Sequence, residues 1–221
     1  DNGIVAHEYG HGISNRLTAG ASSTSCLQNA EQMGEGWSDW FGLMLTIEPG
    51  DLGSDIRGIG TFAINEAVTG GGIRPMPYST DLAVNNATYN YSNSASIPHG
   101  VGFVWCTMLW DLSWEFINLY GYDSDLYTGL GGNNKAMMLI MEAMKLQPCN
   151  PGFVDGRDAI LAADQALYGG AHECMIWNVF AARGLGYSAS QGSVNSASDQ
   201  LEAFNKTNYL ADDNKSLIKN K

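Results

Sequence analysis

Residues 7–11 read His-Glu-Tyr-Gly-His and lie within a stretch, residues 1–16, that has the apolar spacing of a helix. Two histidines at positions i and i+4 lie on one face of a helix, so His7 and His11 can bind the same metal ion. Glu8 lies about 100° around that helix, where a carboxylate can take a proton from a metal-activated water molecule. In a chain of this composition chance produces the pattern roughly three times in a thousand, and two ordinary helix histidines are the alternative.

A catalytic zinc ion needs a third protein ligand and an open fourth position. The next acidic cluster along the chain is Gly34-Glu35-Gly36-Trp37-Ser38-Asp39. Glu35 and Asp39 also stand at i and i+4, so one can bind zinc while the other accepts the free N–H of a ligand histidine. The alternative is a solvated acidic helix face. It is disfavoured because three aromatic residues surround the two acids, and a carboxylate in apolar surroundings needs a partner.

The rest of the chain predicts a mainly α fold with long glycine-rich loops and little sheet. Glycine accounts for 27 of the 221 residues, and no convincing series of strands is present. Apolar residues at helical spacing predict six helices. These span residues 1–16, 30–47, 99–119, 134–147, 153–168 and 171–183. Residues 50–97 are predicted to be mostly loops.

Composition excludes several functional classes. The formal net charge is −12, from 11 Lys and Arg against 23 Asp and Glu, so the chain offers no basic face to nucleic acid or to an anionic membrane. No run of 18 apolar residues is present, so no membrane span is expected. Hydrophobic residues make up 44% of the chain and charged residues 15%, which is typical of a folded globule.

The even number of cysteines is compatible with disulfides and an oxidising compartment. None lies in a Cys-x-x-Cys pair, which argues against a structural zinc knot. Because Cys149 and Cys174 flank one predicted helix, we favour that pair, which leaves Cys26 with Cys106. Buried free thiols are the alternative. His172 stands beside Cys174 and is expected on the surface near a disulfide.

The two motifs together resemble a known family. Residues 7–17, His-Glu-Tyr-Gly-His-Gly-Ile-Ser-Asn-Arg-Leu, followed by residues 33–39, Met-Gly-Glu-Gly-Trp-Ser-Asp, are similar to the fungalysins, secreted zinc metallopeptidases related to thermolysin. The resemblance covers most of residues 1–186. It continues at residues 72–80, 99–102, 153–163 and 174–186. The metzincin pattern does not fit, because Ser14 and Leu17 stand where that family has Gly and His.

The resemblance assigns the metal site and its immediate partners. It implies the helical zincin lobe of a thermolysin-like peptidase, with one catalytic zinc ion bound by His7, His11 and Glu35. Glu8 would be the general base. Asp39 would accept a hydrogen bond from a ligand histidine.

The resemblance also assigns residues that would contact the substrate. His99 would donate a hydrogen bond to the tetrahedral oxyanion, and Arg74 would hold a substrate carbonyl. Ile4 and Ile73 are possible walls of a pocket for the apolar residue just after the cleaved bond. For His99 the alternative is a helix-capping or surface histidine. For Arg74 it is a structural salt bridge, which can coexist with substrate binding.

The resemblance leaves two gaps: a tyrosine near the metal site, and an acidic residue just before His99 that would orient it. Thermolysin-like sites usually have a tyrosine between the second histidine and the glutamate ligand, and residues 12–34 contain none, so Tyr78 or Tyr89 is left to serve.

Asp123 and Asp125, followed by several glycines, could hold calcium. A plain acidic loop is the favoured alternative, because the twelve-residue pattern ending in glutamate is missing.

We therefore expect a secreted zinc endopeptidase that acts on protein or peptide substrates. Residues 1–206 would form the catalytic region and residues 207–221 a polar, lysine-rich tail. One alternative is an aminopeptidase of the same clan, which needs an acidic anchor for a free amine that we do not find. Another is a non-catalytic, zinc-stabilised binding module, which would have no need of Glu8.

Thermolysin-like peptidases build their cleft between two lobes. The chain begins six residues before His7, so we expect the N-terminal lobe to be absent, cleaved or supplied by another chain. That lobe, or an inhibitory propeptide, is a possible partner, and the chain alone is expected to be weakly active.

Overall fold

The computed structural model describes residues 1–206, and the predicted tail, residues 207–221, lies outside the described residues. The mainly α prediction and its six helices are confirmed. The helices are α1 (Asn2–Leu17), α2 (Gly34–Met44), α3 (His99–Tyr120), α4 (Gly132–Leu146), α5 (Phe153–Tyr168) and α6 (Glu173–Ala182). Short 3-10 helices lie at Phe62–Ile64 and Tyr89–Ser94. Among the described residues, β-structure is limited to isolated bridges, such as the one between Arg57 and Tyr78. None of the described helices is both long enough and apolar enough to cross a bilayer.

The second helix begins later than predicted, at Gly34 instead of residue 30. The Glu31 N–H donates to the carbonyl of Val194 at 3.1 Å, so this part of the chain is bonded to a distant segment and not to a preceding helical turn. The Glu31 carboxylate is buried and accepts hydrogen bonds from Tyr89 Oη and from the Phe153 N–H. Tertiary contacts therefore determine where α2 begins, and the spacing of apolar residues alone does not predict this position.

The centre of the core is α3, whose residues from Gly100 to Trp110 are all buried. Trp105 of this helix packs against the rings of Trp37 from α2, Phe153 from α5 and Phe180 from α6, at centroid distances of 5.1, 5.1 and 5.9 Å. One side chain thus contacts three other helices. This packing orients α2, the helix that carries Glu35.

Glycines allow α2 to lie very close to both of its neighbours. A Cβ atom added at Gly10 of α1 would stand 2.9 Å from Ser38 Cα, and one added at Gly36 of α2 would stand 2.4 Å from the carbonyl oxygen of Gly102 in α3. A Cβ atom at Gly102 would stand 2.4 Å from Glu35 Cβ. The backbones around Glu35 therefore approach more closely than any side chain would permit.

Replacing Gly36 with alanine is expected to destabilise the protein by about 1–3 kcal/mol, because the new methyl group must push α2 away from the Gly102 carbonyl. Urea unfolding followed by circular dichroism measures this loss. Gly12→Ala on α1 is the matched control, since no heavy atom lies within 4 Å of a Cβ placed there. Alanine in an open helical position should be neutral or stabilising by up to about 1 kcal/mol. Equal stabilities for the two variants would contradict the close-packing argument.

The predicted disulfide pairing is wrong. Cys26 is bonded to Cys149, with Cα atoms 4.5 Å apart, whereas Cys106 is a buried thiol and Cys174 an exposed one. The α5 helix separates Cys149 from Cys174. Its 16 residues span about 24 Å, far more than the roughly 4.4–6.8 Å between the Cα atoms of a disulfide. Instead, the loop after α1 lies against the α4–α5 connection, where the Asn150 N–H donates to the Cys26 carbonyl at 2.8 Å.

The expectation for His172 is also wrong. Its side chain is buried, with Nδ1 2.6 Å from Asp164 Oδ1 and Nε2 2.7 Å from Tyr120 Oη. The neighbouring Cys174 belongs to no disulfide. His172 therefore links α3, α5 and the start of α6 inside the protein.

Candidate metal centre

Three side chains from two helices converge at one point. His7 Nε2 lies 3.3 Å from Glu35 Oε2, and His11 Nε2 lies 3.6 Å from Glu35 Oε1. All three ligand atoms lie within 4.8 Å of one another. Ligands bound at 2.0–2.1 Å around a tetrahedral ion stand about 3.3 Å apart. The donor set, two imidazoles and one carboxylate, and its spacing therefore fit a zinc ion.

A buried carboxylate supports the first of these histidines. Asp39 Oδ1 lies 2.7 Å from His7 Nδ1, so the ring donates from Nδ1 and leaves Nε2 turned toward Glu35. The i to i+4 spacing on α2 places both acids on the side that faces α1. Asp39 is fully buried, and a buried anion requires partners of this kind.

The carboxylates control the charge of the histidines. Burial opposes the charged form of His7, but hydrogen bonds to Asp39 and Glu35 outweigh it and raise its pKa to about 9. Burial lowers the pKa of His11 and outweighs the opposing effect of the Glu35 charge. The pKa of Glu35 is lowered: burial would raise it, but the hydrogen bond to His7 and the nearby histidines outweigh burial. A metal ion entering this site would displace a proton from His7.

Arg74 lies directly behind the centre, with its side chain only 5% exposed. Its Nε donates to Asp39 Oδ2 at 2.7 Å, and its Nη2 donates to Asp39 Oδ1 at 2.8 Å and to Glu35 Oε2 at 3.2 Å. The salt bridge considered as an alternative is therefore present. Nη1 makes no hydrogen bond within residues 1–206, so its two N–H groups have no partner in this part of the chain.

Glu8 and His99 are both exposed to solvent. Glu8 is exposed on α1, and its carboxylate forms no hydrogen bond or ion pair with any described residue. His99 is the first residue of α3, and its side chain is 60% exposed with Nε2 3.5 Å from Glu35 Oε1. Both groups are accessible to an incoming ligand.

The two isoleucines predicted as pocket walls lie on either side of one glycine. A Cβ atom at Gly60 would stand 3.3 Å from Ile73 Cδ1 and 3.5 Å from Ile4 Cδ1. Ile73 is held there by its N–H, which donates to the carbonyl of Ile59 at 2.9 Å. Ile4 precedes His7 by one helical turn and Ile73 precedes Arg74, so this apolar site adjoins the metal centre.

The two tyrosines considered for the site lie in different places. Tyr78 Oη donates to Asp39 Oδ2 at 2.6 Å, whereas Tyr89 Oη donates to Glu31, away from the metal ligands. Both rings are fully buried. The partnership of Tyr78 with Asp39 was not predicted, and no periodic or motif signal in the sequence indicates it.

Asp123 and Asp125, considered for calcium, lie in a loop whose own backbone binds their carboxylates. Asp123 Oδ1 accepts the Asp125 N–H at 2.9 Å, and Asp125 Oδ1 accepts two further backbone N–H groups. In the described part of the chain, the His7 group is the one set of three or more metal-binding side chains close enough to share an ion. Calcium therefore has no support at this loop.

Comparisons with known proteins identify the family. A family model described as Fungalysin metallopeptidase (M36) matches residues 1–189. The chain is 47% identical over 201 residues to the extracellular metalloproteinase mep of Aspergillus fumigatus, covering 87% of this chain and 31% of that protein. It is 44% identical over 195 residues to extracellular metalloproteinase 3 of Arthroderma otae, covering 85% and 30%. It is also 44% identical over 207 residues to extracellular metalloproteinase MEP of Pyricularia oryzae, covering 88% and 32%. The chain thus spans less than a third of the length of these relatives.

Proposed function

Because the chain belongs to the fungalysin family of metallopeptidases, we propose that it forms the zinc-binding catalytic region of an extracellular endopeptidase. The observation that carries the proposal is the convergence of His7, His11 and Glu35, with Glu8 next to His7 on the same helix. The names of the relatives, extracellular metalloproteinases, support the location and the chemistry.

His7, His11 and Glu35 would hold the zinc ion, which when bound would supply Lewis acidity to the scissile carbonyl and to a water molecule. Asp39 and Arg74 keep the ligands in place. The Asp39 carboxylate fixes the ring of His7, and the Arg74 guanidinium bridges Asp39 and Glu35. A ligand histidine held by a carboxylate is a stronger donor to the metal.

Glu8 is the general base. It takes a proton from the water molecule as the water oxygen attacks the carbonyl carbon, and it delivers that proton to the amide nitrogen as the C–N bond breaks. Its exposed carboxylate, free of partners among the described residues, suits a group that must reach solvent and substrate.

His99 and Arg74 act on the developing negative charge. His99 Nε2 donates to the oxyanion, and the remaining Arg74 Nη1 donates to a substrate carbonyl. Donors aimed at a transition-state charge are often the largest single contribution to catalysis.

Substrate preference comes from the apolar site between Ile4 and Ile73. A Cβ atom at Gly60 would stand 3.3 and 3.5 Å from the two isoleucine δ-carbons, so the two apolar side chains meet beside the Gly60 backbone. An apolar residue just after the cleaved bond would pack against them and gain the transfer free energy of burial.

We expect the zinc-loaded chain to hydrolyse an unfolded protein substrate. This hydrolysis should stop when a chelator removes the metal and return when zinc is restored. Metal analysis should give one zinc ion per chain. Peptides blocked at both ends distinguish the alternatives, since an endopeptidase cleaves them and an aminopeptidase does not. Zinc binding without hydrolysis of any substrate would favour a zinc-stabilised binding module.

A further inference from the structure

We infer that Tyr78 is a positioning residue for the zinc centre, acting through Asp39 on His7. This inference rests on the proposed zinc site. The Tyr78 hydroxyl donates to Asp39 Oδ2 at 2.6 Å, and the other carboxylate oxygen lies 2.7 Å from His7 Nδ1. The chain from tyrosine to carboxylate to imidazole is buried at every step.

The arrangement around Asp39 gives the hydroxyl a definite task. The two oxygens of Asp39 have two donors each: Oδ1 accepts from His7 and Arg74 Nη2, and Oδ2 accepts from Arg74 Nε and Tyr78. Four donors fix the carboxylate in both position and plane. Without the hydroxyl, Oδ2 keeps Arg74 as its one partner, and the carboxylate can turn toward the guanidinium and away from His7.

The position of Tyr78 is itself well fixed. Its backbone exchanges hydrogen bonds with Arg57, N–H to carbonyl at 2.8 and 3.0 Å, and its ring packs against Phe103 of α3 at a centroid distance of 5.3 Å. Burial and the Asp39 charge raise the pKa of Tyr78 well above its usual value, so the hydroxyl remains a donor. A rigid neutral donor is suited to holding a carboxylate without cancelling its charge.

The effect of Tyr78 can be tested separately from that of Arg74, the other side chain that donates to Asp39 Oδ2. Arg74 contacts Glu35, a proposed ligand, so any change at Arg74 alters the metal site directly. The Tyr78 hydroxyl reaches the ligands through Asp39. Tyr78→Phe removes one hydrogen bond and keeps the contact between the ring and Phe103.

The test measures zinc affinity, by competition with a chelator of known affinity, in the otherwise intact protein. Tyr78→Phe is expected to raise the zinc dissociation constant about tenfold, the lower end of the effect of partners that touch a ligand. Tyr89→Phe is the matched control. It also removes a hydroxyl from a fully buried tyrosine that donates to a buried carboxylate, Glu31, remote from the ligands. It should lower the melting temperature of the metal-free protein about as much as Tyr78→Phe while leaving zinc affinity unchanged.

A double-mutant cycle tests whether Tyr78 acts through Asp39. Asp39→Asn alone should weaken zinc binding by about 10- to 100-fold. In the Asp39→Asn background, Tyr78→Phe should have little further effect, since residues in one network are not additive. The inference is overturned if zinc affinity is unchanged by Tyr78→Phe, if Tyr89→Phe weakens it equally, or if the Tyr78 effect is the same in both backgrounds. Absence of zinc binding in the unsubstituted protein would overturn the proposed function and this inference together.

Discussion

Glu8→Gln is expected to lower the rate of peptide hydrolysis by about 100- to 10,000-fold, the usual contribution of a general base. Glutamine has nearly the same shape but cannot take a proton from water. Glu8 is not among the three converging ligands, so zinc content should stay at that of the unsubstituted protein. Steady-state kinetics on a blocked peptide, with metal analysis of the same sample, measures both quantities.

The way the loss of activity divides between kcat and KM makes this result specific to a group that acts in the transition state. A proton transfer occurs only in the transition state, so kcat and kcat/KM should fall together with KM nearly unchanged. Glu173→Gln, an exposed glutamate in the first turn of α6, is the control and should retain the full rate. Full activity in Glu8→Gln would refute the assignment of Glu8 as base.

Removing the disulfide, by Cys26→Ser together with Cys149→Ser, is expected to cost about 3–5 kcal/mol of unfolding free energy. The bond joins residues 123 positions apart, and in the chain-entropy model a loop of this length restricts the unfolded chain by nearly 5 kcal/mol, with measured values often lower. For a protein of this size the melting temperature should fall by roughly 6–20 °C. Calorimetry on the metal-free and zinc-loaded forms measures the change.

Cys174→Ser is the control for the disulfide, because Cys174 is exposed and belongs to no disulfide. Its melting temperature should equal that of the unsubstituted protein. A comparable loss in Cys174→Ser would instead support the Cys149–Cys174 pairing expected from the sequence. The disulfide also anchors the loop that leads into α2, so zinc affinity of the double variant should fall as well.

Helix content and the metal-binding motif were predictable because both are local. Apolar spacing identified all six helices, and the i to i+4 spacing placed His7 with His11 and Glu35 with Asp39 on shared faces. Helix ends were less predictable. The start of α2 depends on the bond between Glu31 and Val194, and the two residues are too far apart in the chain for any window of periodicity to relate them.

Contacts between distant segments do not follow from local spacing, and the pairing of Asp39 with a ligand histidine was expected only from the resemblance to the fungalysins. Asp39 binds His7, and Arg74 bridges Asp39 and Glu35, only because α2 packs between α1 and the loop that follows. The disulfide was mispredicted for the same reason: flanking one helix places two cysteines far apart, and the true partner comes from another part of the chain.

The sequence by itself therefore determined the local spacing: two histidines and a glutamate in one helical motif, and a pair of acids at the same i to i+4 spacing on another helix. Only the tertiary structure showed how the two motifs meet, with Glu35 close to both histidines, Asp39 at His7 Nδ1 and Tyr78 donating to Asp39. Helical spacing is set by bonds within a few residues. The distances between helices are set by packing, and here by the glycines at 10, 36 and 102 that let their backbones meet.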